Sequence, residues 1–149
     1  MVIGYGDAAG IDEWMALVKR ISPDFPGLET VEALDEHRAT VLRFMDERRA
    51  ICAKDGGKIV GVLLFSKKHN MICCLGVSPE HRRRGIASGL IEKALGLLDP
   101  ARDITVTTFR EGDEKGAAPR ALYERFGFEA EELLEEFGYP VQRFVLRAG

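Results

Sequence analysis

One segment carries most of the structural information in this chain: Leu75-Gly76-Val77-Ser78-Pro79-Glu80-His81-Arg82-Arg83-Arg84-Gly85-Ile86-Ala87-Ser88. It reads as a buried strand, a turn at Pro79, a basic triplet, and a helix that opens with small residues. The first amides of a helix have no partner within it, and that end carries positive partial charge. The small side chains of Gly85, Ala87 and Ser88 let an anion approach these amides. The segment therefore predicts a pyrophosphate site. The alternative is a solvated basic turn that caps an ordinary helix.

A second segment follows later in the chain and reads Ala118-Pro119-Arg120-Ala121-Leu122-Tyr123-Glu124-Arg125-Phe126-Gly127-Phe128. Alone, it predicts an amphipathic helix with Pro119 in its first turn and Gly127 as its stop. A tyrosine in such a helix is more often half-buried core than catalytic.

Taken together, the two segments resemble the GNAT superfamily of acyl-CoA-dependent N-acyltransferases. Val77-x-Pro79 followed by Arg82-x-x-Gly85-x-Ala87 is similar to motif A of that family, and the Leu-Tyr-Glu…Gly-Phe ending is similar to its motif B. The resemblance implies acetyl-CoA as co-substrate. By position, it implies that Leu75, Gly76 and Val77 line the pantetheine and thioester. It implies that the pyrophosphate end is bound by Arg82, Arg83, Arg84, Gly85, Ile86, Ala87 and Ser88.

The resemblance also assigns chemistry to individual residues. Tyr123 would protonate the departing thiolate. Many members carry an asparagine that touches the pantetheine seven positions before this tyrosine, and here that cofactor-binding position is Gly116. Glu111 occupies a position used as general base in some relatives, with Asp113 and Glu114 close to it. The alternative is that this acidic segment is only a charged surface loop.

The reaction that these assignments imply is transfer of an acetyl group from acetyl-CoA to a primary amine by direct attack in a ternary complex. Backbone amides near Gly76 and Val77 would polarise the thioester oxygen. The acceptor is open between a small-molecule amine and a protein amine. Its site would be shaped by Phe25, Pro26, Leu28, His37, Arg38, Phe137 and Tyr139. A non-catalytic acyl-CoA-binding sensor on the same fold is the alternative function.

Periodicity and breakers predict the elements along the chain. Helices are expected at residues 12–20, 31–48, 84–98 and 119–126, and strands at 51–53, 59–65, 71–77, 104–109, 129–136 and 141–147. The fold class is α/β (α+β), with about six to seven strands in a mixed, mostly antiparallel GNAT-like sheet flanked by about four helices. A splayed parallel strand pair would form the CoA cleft. We expect residues 1–149 to form a single domain.

Composition limits the other classes of function. The formal net charge is -3, from 24 acidic and 21 basic residues, so an overall affinity for nucleic acid is not expected. No segment predicts a membrane span or a signal peptide. The three cysteines, Cys52, Cys73 and Cys74, lack disulfide or zinc spacing. We therefore expect a cytoplasmic protein without a metal, and a homodimer is possible.

Two further features stay open at this level. Cys73 and Cys74 are expected to be core residues rather than acyl carriers, because a covalent route would need a partner base. The acidic pairs Glu131-Glu132 and Glu135-Glu136 are typical of a solvated face. They would alternatively repel or select a cationic acceptor.

Overall fold

The computed structural model describes residues 1–149, apart from the side chain of Asp24. Its strands are β1 (Val2–Tyr5), β2 (Ala50–Asp55), β3 (Lys58–Ser66), β4 (Met71–Val77), β5 (Ile104–Phe109), β6 (Glu129–Glu136) and β7 (Tyr139–Leu146). Its α-helices are α1 (Ile11–Ile21), α2 (Val31–Asp46), α3 (Ile86–Leu97) and α4 (Ala117–Arg125). The strands form one sheet in the order β1-β2-β3-β4-β5-β7-β6. Only β4 and β5 are parallel neighbours, so the predicted mixed, mostly antiparallel sheet is confirmed.

The helices cover both faces of the sheet. On one face, α1 buries Trp14, Leu17 and Val18 against the sheet and against α2, because apolar residues recur along α1 with the period of a helix. On the other face, α3 and α4 bury a second cluster around Leu90 and Phe144. β3 lies between these two clusters and is buried along nearly its whole length, so its sequence is a continuous apolar run rather than an alternating one.

Two local predictions need correction. β1 was not predicted, because this strand is short and contains a glycine; it forms the sheet edge beside β2. The third helix begins at Ile86 rather than at Arg84, because Gly85 adopts a φ of +77° that no helix can contain. The predicted hairpin turn between β2 and β3 is confirmed, with Gly56 and Gly57 at positive φ.

The parallel pair β4–β5 is joined over a very short length. Its register consists of Met71 opposite Thr105 and Ile72 opposite Val106. Beyond this point β4 continues beside β3 as far as Val77, and β5 continues beside β7 as far as Phe109. The register between β3 and β4 shifts at Leu64/Phe65, which makes Cys73 the extra residue of a bulge. Since a bulge bends its strand, β4 turns away from β5 where their pairing stops.

Asn70 fixes the closed end of this splay. It is 1% exposed and has a φ of +51°. Its Nδ2 donates to the carbonyls of Asp99, Arg102 and Asp103 at 2.9, 3.3 and 3.1 Å, and its Oδ1 accepts from the Asp99 amide at 2.8 Å. The Asn70 side chain therefore connects the start of β4, by hydrogen bonds, to the loop that precedes β5.

We expect Asn70→Ala to lower the free energy of unfolding by about 2–4 kcal/mol, because it leaves buried carbonyls without a donor. Urea denaturation measures the loss. Asn70→Gly tolerates the positive φ and is the matched control for backbone strain. Most of the loss should persist in the glycine variant, and wild-type stability of that variant would show that the side-chain bonds contribute little.

Candidate active site

The gap between β4 and β5 opens into a cleft of about 1170 Å³. One end of the cleft is formed by the N-terminus of α3 and by α4, on the face of the sheet that these helices cover. The other end lies on the opposite face, among α2, residues 22–30 and the tip of the β6–β7 hairpin. The splay thus connects two sites on opposite faces of one sheet.

The α3 end has the backbone geometry of an anion site. Arg83 and Gly85 have φ values of +64° and +77°, a turn geometry that makes successive amides converge. The first bond of the helix runs from the Gly89 amide to the Gly85 carbonyl at 3.0 Å. The amides of residues 86–88 therefore have no hydrogen-bond partner within the helix. A side chain at Gly85 would meet no atom within 4 Å, so the approach to these amides is open.

The structure places most of the predicted pyrophosphate residues at this end. Ile86, Ala87 and Ser88 line the cleft, and the buried Ile86 side chain anchors the helix start in the core. The other lining residues of the motif are Arg82, Arg83 and Gly85. Arg84 is exposed and does not line the cleft.

The wall formed by β4 presents backbone groups to the gap. The Ser78 amide donates to the Val60 carbonyl of β3 at 2.8 Å. Because amides alternate in direction along a strand, the Gly76 amide also faces β3, and those of Leu75 and Val77 face the gap. Gly76 serves packing as well, since a Cβ there would lie 2.3 Å from Cδ1 of Ile21 in α1.

Tyr123 lies deep in the cleft on α4. It is 4% exposed, and its ring packs edge-on against Phe128 at 5.6 Å and beside Phe144 at 6.3 Å between centroids. Burial, and secondarily the neighbouring Cys74, raises the pKa of its hydroxyl, so the phenol is protonated at neutral pH. Within the described part of the chain, this hydroxyl has no hydrogen-bond partner. It is free to donate to a ligand.

Cys73 lines the cleft instead of packing in the core, so the expectation of a core residue is wrong for this cysteine. It is exposed there because it is the bulged residue of β4. Desolvation by the cleft walls raises the pKa of its thiol to about 11; nearby Arg49 lowers the pKa and Glu136 raises it. A thiol in this state is a poor nucleophile at neutral pH. Cys74 also lines the cleft but packs partly against the α1–α2 core, and burial raises the pKa of its thiol to about 12.

Gly116 does not line the cleft. It is buried under β5, and a Cβ added there would lie 2.8 Å from the Cβ of Phe109. An asparagine at this position would collide with β5 before it could reach a cofactor. Glycine at position 116 is therefore explained by close packing against β5. Any contact with the cofactor in this region would come from neighbouring residues.

The carboxylates near the cleft differ from those that the sequence singled out. Glu111 is exposed in the turn after β5 and is not part of the lining, and its role as base stays a prediction. Asp113 accepts a bond of 2.7 Å from the Tyr139 hydroxyl, which holds the pKa of the carboxyl below its usual value. Glu114 and Glu136 do line the cleft.

The acidic pairs of β6 divide into two groups. Glu131 and Glu132 pair with Arg147 and Arg143 along the hairpin. Glu135 is exposed outside the cleft, whereas Glu136 at the strand end lines it. A solvated face is thus correct for part of this run, and one carboxylate of the run reaches the site.

Two of the residues that the sequence suggested for the acceptor site, Arg38 and Tyr139, do not line the cleft. Arg38 donates instead to Asp12 on the surface, and Tyr139 lines a smaller neighbouring pocket of about 290 Å³. Three residues of α2 line the cleft, namely His37, Thr40 and Phe44, and they lie on one helical face. Several other lining residues are not singled out by the sequence patterns, among them Thr107, Thr108, Ala118, Pro119, Leu122 and Arg125. Proximity to Tyr123 in motif B was the available signal for the last four.

Among the described residues, no group of three or more histidine, cysteine or acidic side chains is arranged to hold a metal ion. Within the same part of the chain, no helix combines the length and apolar character needed to cross a membrane.

Comparison with solved structures identifies the fold. An acetyltransferase of the GNAT family from Bacillus cereus superposes with a TM-score of 0.74 at 20% identity, over 98% of this chain and 96% of the other. The ribosomal-protein-S18-alanine N-acetyltransferase from Escherichia coli gives 0.76 at 16% identity, over 99% and 93%. An apo agmatine N-acetyltransferase mutant gives 0.72 at 15% identity, over 98% of each chain. No curated protein matches this chain.

The sequence itself matches the Acetyltransferase (GNAT) family over residues 14–128, a range that begins within α1 and contains α2 through α4 and both motifs. The splayed parallel strands, the turn at Gly85 before α3 and the buried tyrosine of α4 all lie within this range. The chain belongs to the GNAT acetyltransferase family.

Proposed function

We propose that this protein transfers an acetyl group from acetyl-CoA to a primary amine by direct attack in a ternary complex. The observation that carries the proposal is the splayed cleft, which connects the unpaired amides at the start of α3 to a buried, protonated tyrosine. A cytoplasmic setting, a homodimer and the lack of a nucleic-acid partner stay predictions.

The residues of the cleft fit the parts of acetyl-CoA. The amides of Ile86, Ala87 and Ser88 bind the pyrophosphate, with the Arg82 and Arg83 side chains at the rim. The amides of Leu75 and Val77 lack a strand partner on the gap side and bind the amide groups of the pantetheine arm, which takes the place of a paired strand. The charge of Arg84, outside the lining, acts only at longer range.

A base is needed because a protonated amine has no lone pair for attack. We propose Glu136 for this role, acting directly or through one water molecule. This exposed residue at the end of β6 lines the cleft, and its charge raises the pKa of the Cys73 thiol. Glu111, the position that the family resemblance suggests, lies outside the lining.

The transfer step uses groups on both sides of the thioester. An amide of β4 on the gap side donates to the thioester oxygen, and the amine nitrogen forms a bond to the carbonyl carbon as the carbon–sulfur bond breaks. Glu136 takes the proton that the amine loses, and Tyr123 gives its proton to the departing sulfur. The acetyl group is never attached to the protein, which agrees with the raised pKa of Cys73.

Tyr123→Phe should lower kcat by about 10²-fold or more, because it removes the proton donor and leaves the ring packing intact. Thiol release with a panel of primary amines measures kcat, and calorimetric titration measures acetyl-CoA affinity, which should change little. Tyr5→Phe, on the edge strand β1, is the matched control. An unchanged kcat in Tyr123→Phe would remove this residue from the chemistry. Acetyl-CoA binding without thiol release from any amine would favour a sensor.

Glu136→Gln should reduce kcat/KM for the amine by about 10²-fold while Glu111→Gln stays within about threefold of wild type. Glu135→Gln is the control, since this neighbour on the same strand is exposed and outside the cleft. The reverse result, with Glu111→Gln inactive and Glu136→Gln active, would return the role of base to Glu111.

A further inference from the structure

The end of the cleft remote from α3 is walled by aromatic and apolar side chains. The lining there includes Phe44 on α2, Phe25 after α1 and Phe137 at the tip of the β6–β7 hairpin, with Pro26 and Leu28 between them. We call these five side chains the aromatic box. Phe137 is 81% exposed and has a φ of +53°, a backbone geometry that is uncommon for a bulky residue. The fold thus holds a large ring at the mouth of the cleft without burying it in the core.

The mouth above the aromatic box is bridged. The Phe137 ring lies so close to the backbone of Gly27 that a Cβ there would come within 2.7 Å of it. Beside this contact, Nζ of Lys115 donates to the Pro23 carbonyl at 3.2 Å. Both contacts join residues 22–30 to the opposite wall. An extended polypeptide would have to pass between these walls, so the enclosed space favours a small acceptor.

The charge within this space is complementary to an ammonium group. Glu136 lines the cleft together with the aromatic box, and its charge raises the pKa of the Cys73 thiol. Two cations near this end of the cleft, Arg49 and Lys115, are engaged by other groups. Arg49 pairs with Glu47 at 2.6 Å and stacks on the outer side of Phe44, with 4.1 Å from its Cζ to the ring centroid. Lys115 is held by the Pro23 carbonyl and by the Tyr139 ring.

His37 adds one hydrogen-bonding group to this apolar wall. Its Nε2 is buried and has no partner among the described residues. Burial lowers the pKa of the ring, so the imidazole is neutral at pH 7 and carries one donor and one acceptor nitrogen. A buried nitrogen without a partner is costly, and a ligand hydroxyl would supply the missing bond.

We infer that the acceptor is a small primary alkylamine that carries an aromatic ring with a hydroxyl-type substituent. The ring packs in the aromatic box, the amine points along Glu136 toward the thioester, and the substituent bonds to Nε2 of His37. The inference rests on the proposed acetyl transfer and names the substrate class of that same site.

Steady-state thiol release at saturating acetyl-CoA tests the inference with four probes: tyramine, 2-phenylethylamine, n-butylamine and a hexapeptide with a free N-terminal alanine. The expected order of kcat/KM is tyramine, then 2-phenylethylamine, then butylamine, with about 10-fold or more between the last two because a ring is buried. The peptide should be the poorest substrate. A peptide that exceeds both aromatic amines would overturn the inference and leave acetyl transfer intact.

Two variants separate the contributions of the ring and the hydroxyl. Phe137→Ala should raise KM for 2-phenylethylamine about 10-fold without changing KM for butylamine or acetyl-CoA. His37→Leu should remove the advantage of tyramine over 2-phenylethylamine. Leu133→Ala is the matched control, since this residue of the same hairpin is 59% exposed and outside the cleft. Equal effects on all amines in either variant would contradict the assigned contacts.

A binding measurement keeps the inference separate from catalysis. Tyramine is titrated calorimetrically into the protein saturated with CoA. Saturable binding that Phe137→Ala weakens supports the acceptor site even if no acetyl group is transferred, and in that case only the proposed function fails. Absence of tyramine binding together with turnover of butylamine overturns the inference alone.

Discussion

The structure depends on one constraint, the short contact between β4 and β5. Two residue pairs hold these strands together, Asn70 secures the end where they meet, and the bulge at Cys73 turns them apart. Unpaired backbone groups inside a sheet are costly unless another partner satisfies them. A ligand that alternates amides with short apolar links meets that requirement. The hydrogen-bonding needs of the gap, as well as its shape, therefore make it the candidate binding site.

Close packing of the helices against the sheet determines where the two ends of the cleft lie. A Cβ at Gly61 would lie 2.8 Å from Ile86, and one at Gly89 would lie 2.6 Å from Ile3, so α3 contacts the strands at backbone distance. This contact brings the first amides of α3 to the edge of the gap. On the opposite face, Gly76 allows Ile21 of α1 to approach in the same way. Glycines that are ordinary packing positions thus determine where an anion and an acceptor can bind.

The sequence predicted the local features that line the candidate site and missed the features that long-range contacts create. The turn at Gly85 and the helix of Tyr123 are each formed by one continuous segment, so residue types and spacing were sufficient to predict them. Glu136 reaches the cleft only because the β6–β7 hairpin folds over it, a fact that strand periodicity does not contain. Cys73 was assigned to the core because a bulge leaves no sequence signal. Family spacing likewise could not reveal that β5 blocks a side chain at Gly116.

Calorimetric titration of the purified protein with acetyl-CoA is a direct test of whether the splayed cleft binds this cofactor. We predict saturable binding of one molecule per chain in the wild type and in Ser88→Ala. We also predict loss of at least about 100-fold in affinity in Ser88→Glu, whose carboxylate competes for the first amides of α3. Absence of binding in the wild type, or equal affinity in Ser88→Glu, would contradict the assignment of the splayed cleft as the acetyl-CoA site.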